Sequence, residues 1–288
     1  MSYRLAVFPK KRKKFTIVRL KSFLKIINKM LLVQANAKIN LSFKILEKLP
    51  NGHHRIESIM QSIDLADFLF FEKAAENQLT GSYVCPDSQN IILKAQKVLE
   101  KEVGRKLPCR IHLQKVIPVS AGLGGGSADA AATLIALNKI YELNFSKKKL
   151  AELATGVGAD VPFFIFGGTC KVGGVGEEVK QIKKKISKFY LIFRPHKRLE
   201  TKMMYELYDK TGKDFLKLAG EICPSVKKVY NYFKKFRPKE FGLSGSGPSL
   251  FCGLNSHKLA KKIVRGLNNL DGDVFICRPE DQAIKILN

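Results

Sequence analysis

Four glycines in five positions, Gly122, Gly124, Gly125 and Gly126, run directly into Ser127-Ala128-Asp129-Ala130-Ala131. Glycine lacks a Cβ and tolerates positive φ, so such a run lets backbone N–H groups come close to an anionic ligand. From about Ser127 the spacing of Ala130, Leu134, Leu137 and Tyr141 fits one face of a helix. A helix starting there points its unpaired N–H groups and the positive end of its dipole at the loop, which makes a phosphate site. The candidate cradle is Pro118, Val119, Ser120, Ala121, Gly122, Leu123, Gly124, Gly125, Gly126 and Ser127. Ser127 adds a hydroxyl for a phosphate or metal ion. Asp129 suits the first helical turn, but beside phosphate it needs a Mg²⁺ between them. A P-loop is excluded because no lysine follows the glycines, and a dinucleotide fingerprint because Ser127 holds the place of its third glycine.

A second chemical group is Asp160 in Gly158-Ala159-Asp160-Val161-Pro162. A carboxylate between small residues and an apolar run is expected to be partly buried and to need a partner. Lys38 is the candidate, although a plain helix-start aspartate fits the pattern equally well. Lys38 shares one strand face with Asn40, opposite Ile39 and Leu41, and that face is either a site or simply wet. His54 lies in the turn Asn51 to Arg55, where a surface role is the alternative. Lys115, at the end of the strand that delivers the chain into the glycine run, is placed to meet a nucleotide.

Behind these residues the elements are legible in outline. A strand begins at Leu32, and residues Ile56 to Phe71 follow the turn. Asp87-Ser88-Gln89-Asn90 caps a helix predicted over Ile91 to Val103. Strand Pro108 to Val116 alternates apolar Ile111 and Leu113 against polar neighbours, and Ser146 caps a helix over Lys147 to Ala154. Beyond Phe189 to Arg194, a buried strand, come a helix over Pro224 to Phe236 and a second glycine loop, Leu243 to Ser249. A strand at Ser249 to Gly253, a helix over Ser256 to Leu270 and a strand at Val274 to Arg278 complete an α+β layer.

The 288 residues suffice for one large domain or two modest ones, and a hydrophobic content of 45% indicates a folded globular chain. The six cysteines form no C-x-x-C pair, so neither a metal cluster nor a disulfide framework is expected, and a cytoplasmic, reducing compartment suits them. Net charge is +26, and residues 1–29 hold ten Lys/Arg and no acid. Charges within that leader rule out a membrane span. It reads as a basic arm for RNA or an anionic membrane, or, as favoured, an extension outside the fold with Met30 as the functional start. A basic RNA-binding protein is the competing class, but no RNP1-type aromatic motif is present.

The glycine run with S-A-D-A-A, together with Ala37-Lys38-Ile39-Asn40-Leu41 and G-A-D-V-P, resembles the GHMP kinases over about residues 31 to 288. The resemblance implies a two-domain α+β fold, with a ribosomal-S5-type N-terminal domain (30–180) and a ferredoxin-like C-terminal domain (181–288). It implies ATP-dependent phosphorylation of an alcohol on a cytidine diphosphate conjugate, with Mg²⁺ accompanying ATP; another small-molecule kinase of the family is the alternative. By the same resemblance Lys38 and Asp160 are catalytic, and Asn90 and Lys115 join the glycine loop in binding ATP. Asn40, His54, Thr201, Tyr205, Gly245 and Gly247 would bind the substrate. His54 aligns with a histidine that reads cytosine, while His53 stands where a stacking tyrosine is usual and Tyr205 where a phenylalanine is. No specific nucleic acid and no dedicated metal-ligand set is implied.

Overall fold

The computed structural model describes residues 30–184 and 186–288. The basic leader, 1–29, lies outside the described residues. Two long strands, β1 (Leu31–Lys48) and β2 (His54–Lys73), pair antiparallel and form the centre of a seven-stranded sheet. Their β-branched and aromatic residues suit a pleated surface packed on one side. β3 (Gln78–Gly81) runs parallel to β4 (Cys109–Gln114) at one edge. β5 (Thr169–Gly173) pairs with β2, and β6 (Glu178–Gln181) with β5.

Helix α1 (Ile91–Val103) begins at Asn90, whose Oδ1 accepts from the Ile92 N–H at 3.0 Å, and ends at Gly104 in the left-handed region. Helix α2 (Gly125–Ile140) lies against β1 and β2 and carries α1, α3 (Lys147–Thr155) and α4 (Val161–Phe166) around it. Five alanines of α2, Ala128, Ala130, Ala131, Ala132 and Ala136, have no exposure. Alanine favours helix and allows close approach from every side, so α2 can be buried nearly all round.

The second sheet, ordered β10-β7-β9-β8, comprises β7 (Phe189–Pro195), β8 (Phe241–Leu243), β9 (Leu250–Leu254) and β10 (Gly272–Cys277), all antiparallel. That order is 4-1-3-2 in chain sequence, the ferredoxin-like arrangement. Helices α5 (Thr201–Thr211), α6 (Phe215–Ile222), α7 (Pro224–Lys234) and α8 (His257–Arg265) accompany it. The chain then returns to the first sheet as β11 (Ile284–Ile286), paired with β1.

Three apolar clusters hold this together: one beneath each sheet, and a seam in which Ala37, Ile39, Ile63, Ile117 and Leu123 meet Tyr190, Ile192 and Phe251. Each fully buried large side chain in that seam is worth about 1.5–3 kcal/mol. α2 starts at Gly125, two residues before the expected Ser127, and its first residue must be glycine, since a Cβ there would stand 2.9 Å from both Ile117 Cγ2 and Lys115 Nζ. The last helix stops at Arg265 rather than Leu270. Among the described residues no helix is long and apolar enough to cross a membrane, and all six cysteines are free.

Candidate active site

Lys38 and Asn40 occupy one face of β1, between register shifts at Asn36/Ala37 and Asn40/Ser42. Both are sealed by the fold rather than wet. Lys38 Nζ donates to Asn40 Oδ1 at 2.7 Å and lies 3.4 Å from Asp160 Oδ2. Asn40 Nδ2 donates to Ser58 Oγ at 2.8 Å, and Ser58 Oγ donates to the Ser42 carbonyl at 2.7 Å, which fixes the amide. Asp160 directly precedes α4 but makes no capping bond, so its carboxylate is left to Lys38. Its side chain is 32% exposed against 4% for Lys38. A carboxylate open to a cleft with an ammonium behind it can receive or orient a hydroxyl proton.

The glycine loop is tied to both halves of the molecule. Leu123, itself buried, offers its carbonyl to the Lys38 N–H at 2.9 Å. Gly122 has φ +75°, and a Cβ there would lie 2.3 Å from the Ser244 carbonyl oxygen. Ser244 Oγ donates to the Gly122 carbonyl at 2.8 Å. The first N–H groups of α2, at Gly125 to Ser127, have no acceptor within the helix and form the mouth of the cradle. Pro118, Val119, Ser120, Ala121, Gly122, Gly124, Gly125, Gly126 and Ser127 all line one cleft.

Asp129 differs from its expected place beside the phosphates. It lies in the second turn of α2 and turns inward to Lys115 at 2.7 Å. Lys115 Nζ also meets Asp67 at 2.5 Å, whose other oxygen accepts from the Val116 and Ile117 N–H groups at 2.6 and 2.8 Å. Burial alone would pull the Lys115 ammonium down, but Asp129 and Asp67 outweigh it and raise it. Burial pushes the Asp129 carboxyl well above its ordinary range, with Lys115 opposing and Asp67 reinforcing. Asp129 Oδ1 is buried without a hydrogen-bond partner.

At the other end, the His54 ring stacks on Tyr205 with centroids 4.7 Å apart and bonds to Asp209 at 2.7 Å. Burial raises the Tyr205 hydroxyl, and the charge of Asp160 adds to it. Thr201 Oγ1 lies 2.9 Å from Ser246 Oγ. Gly245 lines the cleft, with room for a Cβ only 3.3 Å from Lys38 Nζ; Gly247 stands behind, against Gly122. His53 and Asn90 complete the lining of a cleft of about 840 Å³. Sequence reading did not single out Asp67, Lys48, Asp209 or Ser244. Asp67 carried a signal, a lone acid within Leu65-Ala66-Asp67-Phe68-Leu69, which demands a partner.

The sequence profile of the GHMP kinases N terminal domain matches residues 90–168, the span that holds the glycine loop and Asp160. A 4-diphosphocytidyl-2-C-methyl-D-erythritol kinase of Carboxydothermus hydrogenoformans is 36% identical over 279 residues, covering 86% of this chain and 96% of that protein. The chain belongs to the GHMP kinase family. A Bacillus subtilis protein of the same description is 33% identical over 278 residues, covering 86% of this chain and 96% of its own. A crystal structure of a 4-(cytidine 5'-diphospho)-2C-methyl-D-erythritol kinase superposes with a TM-score of 0.71 at 26% identity, over 86% of this chain and 98% of that one. A homoserine kinase from Cytophaga hutchinsonii, 17% identical, shares the fold with a TM-score of 0.69 over 90% of this chain and 98% of its own. The fold is thus the α+β, two-domain GHMP kinase architecture, and the chain is an ATP-dependent small-molecule kinase.

Proposed function

We propose that the chain transfers the γ-phosphoryl group of ATP to a hydroxyl of 4-diphosphocytidyl-2-C-methyl-D-erythritol, a step of isoprenoid-precursor synthesis in the cytoplasm. The observation that carries this is one cleft that joins the Lys38–Asp160 pair to the glycine loop on one side and to His54 and Tyr205 on the other. The identity of 36% to a kinase of that name supports the choice of substrate. With the domains drawn at 30–180 and 181–288, both contribute to the cleft.

Phosphoryl transfer passes through a loose transition state, so positioning and charge stabilisation outweigh the strength of the base. Backbone N–H groups from Gly122 to Ser127 hold the phosphates, with Pro118 to Ala121 along the nucleotide. Asn90 spends Oδ1 on its helix cap and keeps its amide N–H groups for the nucleotide. Lys115 keeps one of three N–H donors beyond its two carboxylates. Asp160 accepts or orients the hydroxyl proton. Lys38, 3.4 Å from Asp160, steers the nucleophilic hydroxyl. Asn40, Thr201, Gly245 and Gly247 shape the acceptor side, and His54 and Tyr205 take the pyrimidine.

Mg²⁺ fits this site. Ser127 lines the cleft at the loop and would offer its hydroxyl to the ion, whereas Asp129 is committed to Lys115. Bound with ATP, the ion neutralises phosphate charge. The test is a coupled assay of ATP turnover. Turnover is expected with the cytidyl-methylerythritol substrate and not with homoserine or mevalonate; preference for either of those places the chain elsewhere in the family.

A further inference from the structure

His54 Nε2 lies 2.7 Å from Asp209 Oδ1, and Lys48 Nζ lies 2.6 Å from Oδ2 of the same carboxylate. An ionised carboxylate only accepts, so the proton of that bond belongs to Nε2. In the neutral ring the other nitrogen, Nδ1, is then an acceptor. Among the described residues Nδ1 has no hydrogen-bond partner, and it is not one of the sealed polar atoms. His54 itself lines the cleft.

The ring has little freedom to turn. Tyr205 lies nearly parallel to it, with planes 25° apart, and Tyr208 meets it edge-on at 6.0 Å. Asp209 follows Tyr205 by four positions on α5, so both side chains leave the helix on the same face. One helical turn therefore supplies both the stacking surface and the proton acceptor. Hydrogen bonds from Lys48 and His54 hold the Asp209 carboxyl below its ordinary range, which keeps it ionised and accepting.

We infer that Asp209, steadied by Lys48, is a specificity-determining positioning residue that fixes the His54 tautomer so that Nδ1 accepts from the exocyclic amino group of cytosine. The inference rests on the proposed kinase reading and deepens it. Cytosine carries an amino donor on C4 where uracil carries a carbonyl oxygen, so an acceptor at Nδ1 attracts one base and repels the other. The opposite tautomer, with the proton on Nδ1, reverses that preference. A buried polar group left facing a like group is what makes such discrimination large.

The experiment compares CDP and UDP binding by calorimetry on the full chain, with ¹⁵N spectra of His54. The wild-type protein is expected to favour CDP and to carry the ring proton on Nε2. Asp209→Asn presents an amide that can donate to Nε2 and drive the proton to Nδ1; the CDP-to-UDP preference is expected to fall about tenfold. Asp209→Glu restores it. A preference unchanged in Asp209→Asn, or a wild-type ring protonated on Nδ1 alone, overturns the inference. Should Asp209→Asn lack a native melting transition, Lys48→Met, at a more exposed position, carries the same test: a smaller drop supports the inference and none overturns it. Wild-type selectivity for CDP without ATP turnover on the cytidyl substrate would sink the kinase reading and leave the tautomer assignment standing. Turnover with an unmoved preference in the variants would do the reverse.

Discussion

Asp160 is the half-open partner of an ammonium that is almost wholly enclosed. Replacing it tests the chemistry without emptying the core. Asp160→Asn preserves shape but removes the proton acceptor, and kcat is expected to fall by about 10²–10⁴, the range for a positioned general base, while KM for ATP changes little. Steady-state kinetics with the cytidyl substrate read this, and full activity would remove Asp160 from catalysis. The pairing of Lys38 with Asp160 was legible because an aspartate between small and apolar residues asks for a partner, and Lys38 was the candidate although its strand face could equally have been wet. The pairing of His54 with Asp209 was not, because the two lie 155 positions apart and Asp209 sits in an ordinary polar helix stretch. Asp129 was expected beside the phosphates, whereas it meets Lys115, 14 positions earlier and just past the end of β4; local sequence shows only the helix it belongs to.

At the level of elements, the loop entering α2 is shaped by what presses against it. Gly122→Ala would meet the Ser244 carbonyl and carry a side chain at φ +75°. Strain of that kind costs about 1–3 kcal/mol, and a cradle displaced by about 1 Å loses about a hundredfold in kcat/KM for ATP. Urea melts and ATP titration measure the two effects separately. Lys115→Met would leave Asp67 and Asp129 buried without their cation. A stability loss of about 3–5 kcal/mol is expected, read as a lower urea midpoint. A pH effect belongs to the join of β7 and β10, where hydrogen bonds that His196 donates to Asp273 and Asp271 raise its imidazole. A raised folded value stabilises below the ordinary histidine range and loses that contribution as pH climbs through the raised value. The melting temperature should therefore decline through that window, and His196→Gln should flatten the decline. Helix α1 was readable from its cap and period, whereas the start of α2 was not, since two glycines stand where helix formers are expected. Strand β11 escaped notice because three residues carry no period.

The whole molecule is two sheets that share an apolar seam, with residues from both halves lining one cleft. Its net charge of +26 favours the approach of polyphosphate ligands, although charge alone names no partner. On the proposed reading the glycine loop takes ATP while His54 and Tyr205 take the pyrimidine, so the two ligands should stabilise the fold independently. A ligand that binds only the folded state adds about 2.7 kcal/mol at a hundred times its Kd. CDP and a non-hydrolysable ATP analogue are each expected to raise Tm, and together to raise it by nearly the sum. The variants dissect this: Gly122→Ala should lose the shift with the ATP analogue and keep it with CDP, while Asp209→Asn should lose part of the CDP shift and keep the other. Asp160→Asn, inert in turnover, should retain both, because binding and proton transfer are assigned to different side chains. Calorimetric melts of the four proteins decide the matter, and a Gly122→Ala protein that responds normally to the ATP analogue would separate the glycine loop from the phosphates altogether.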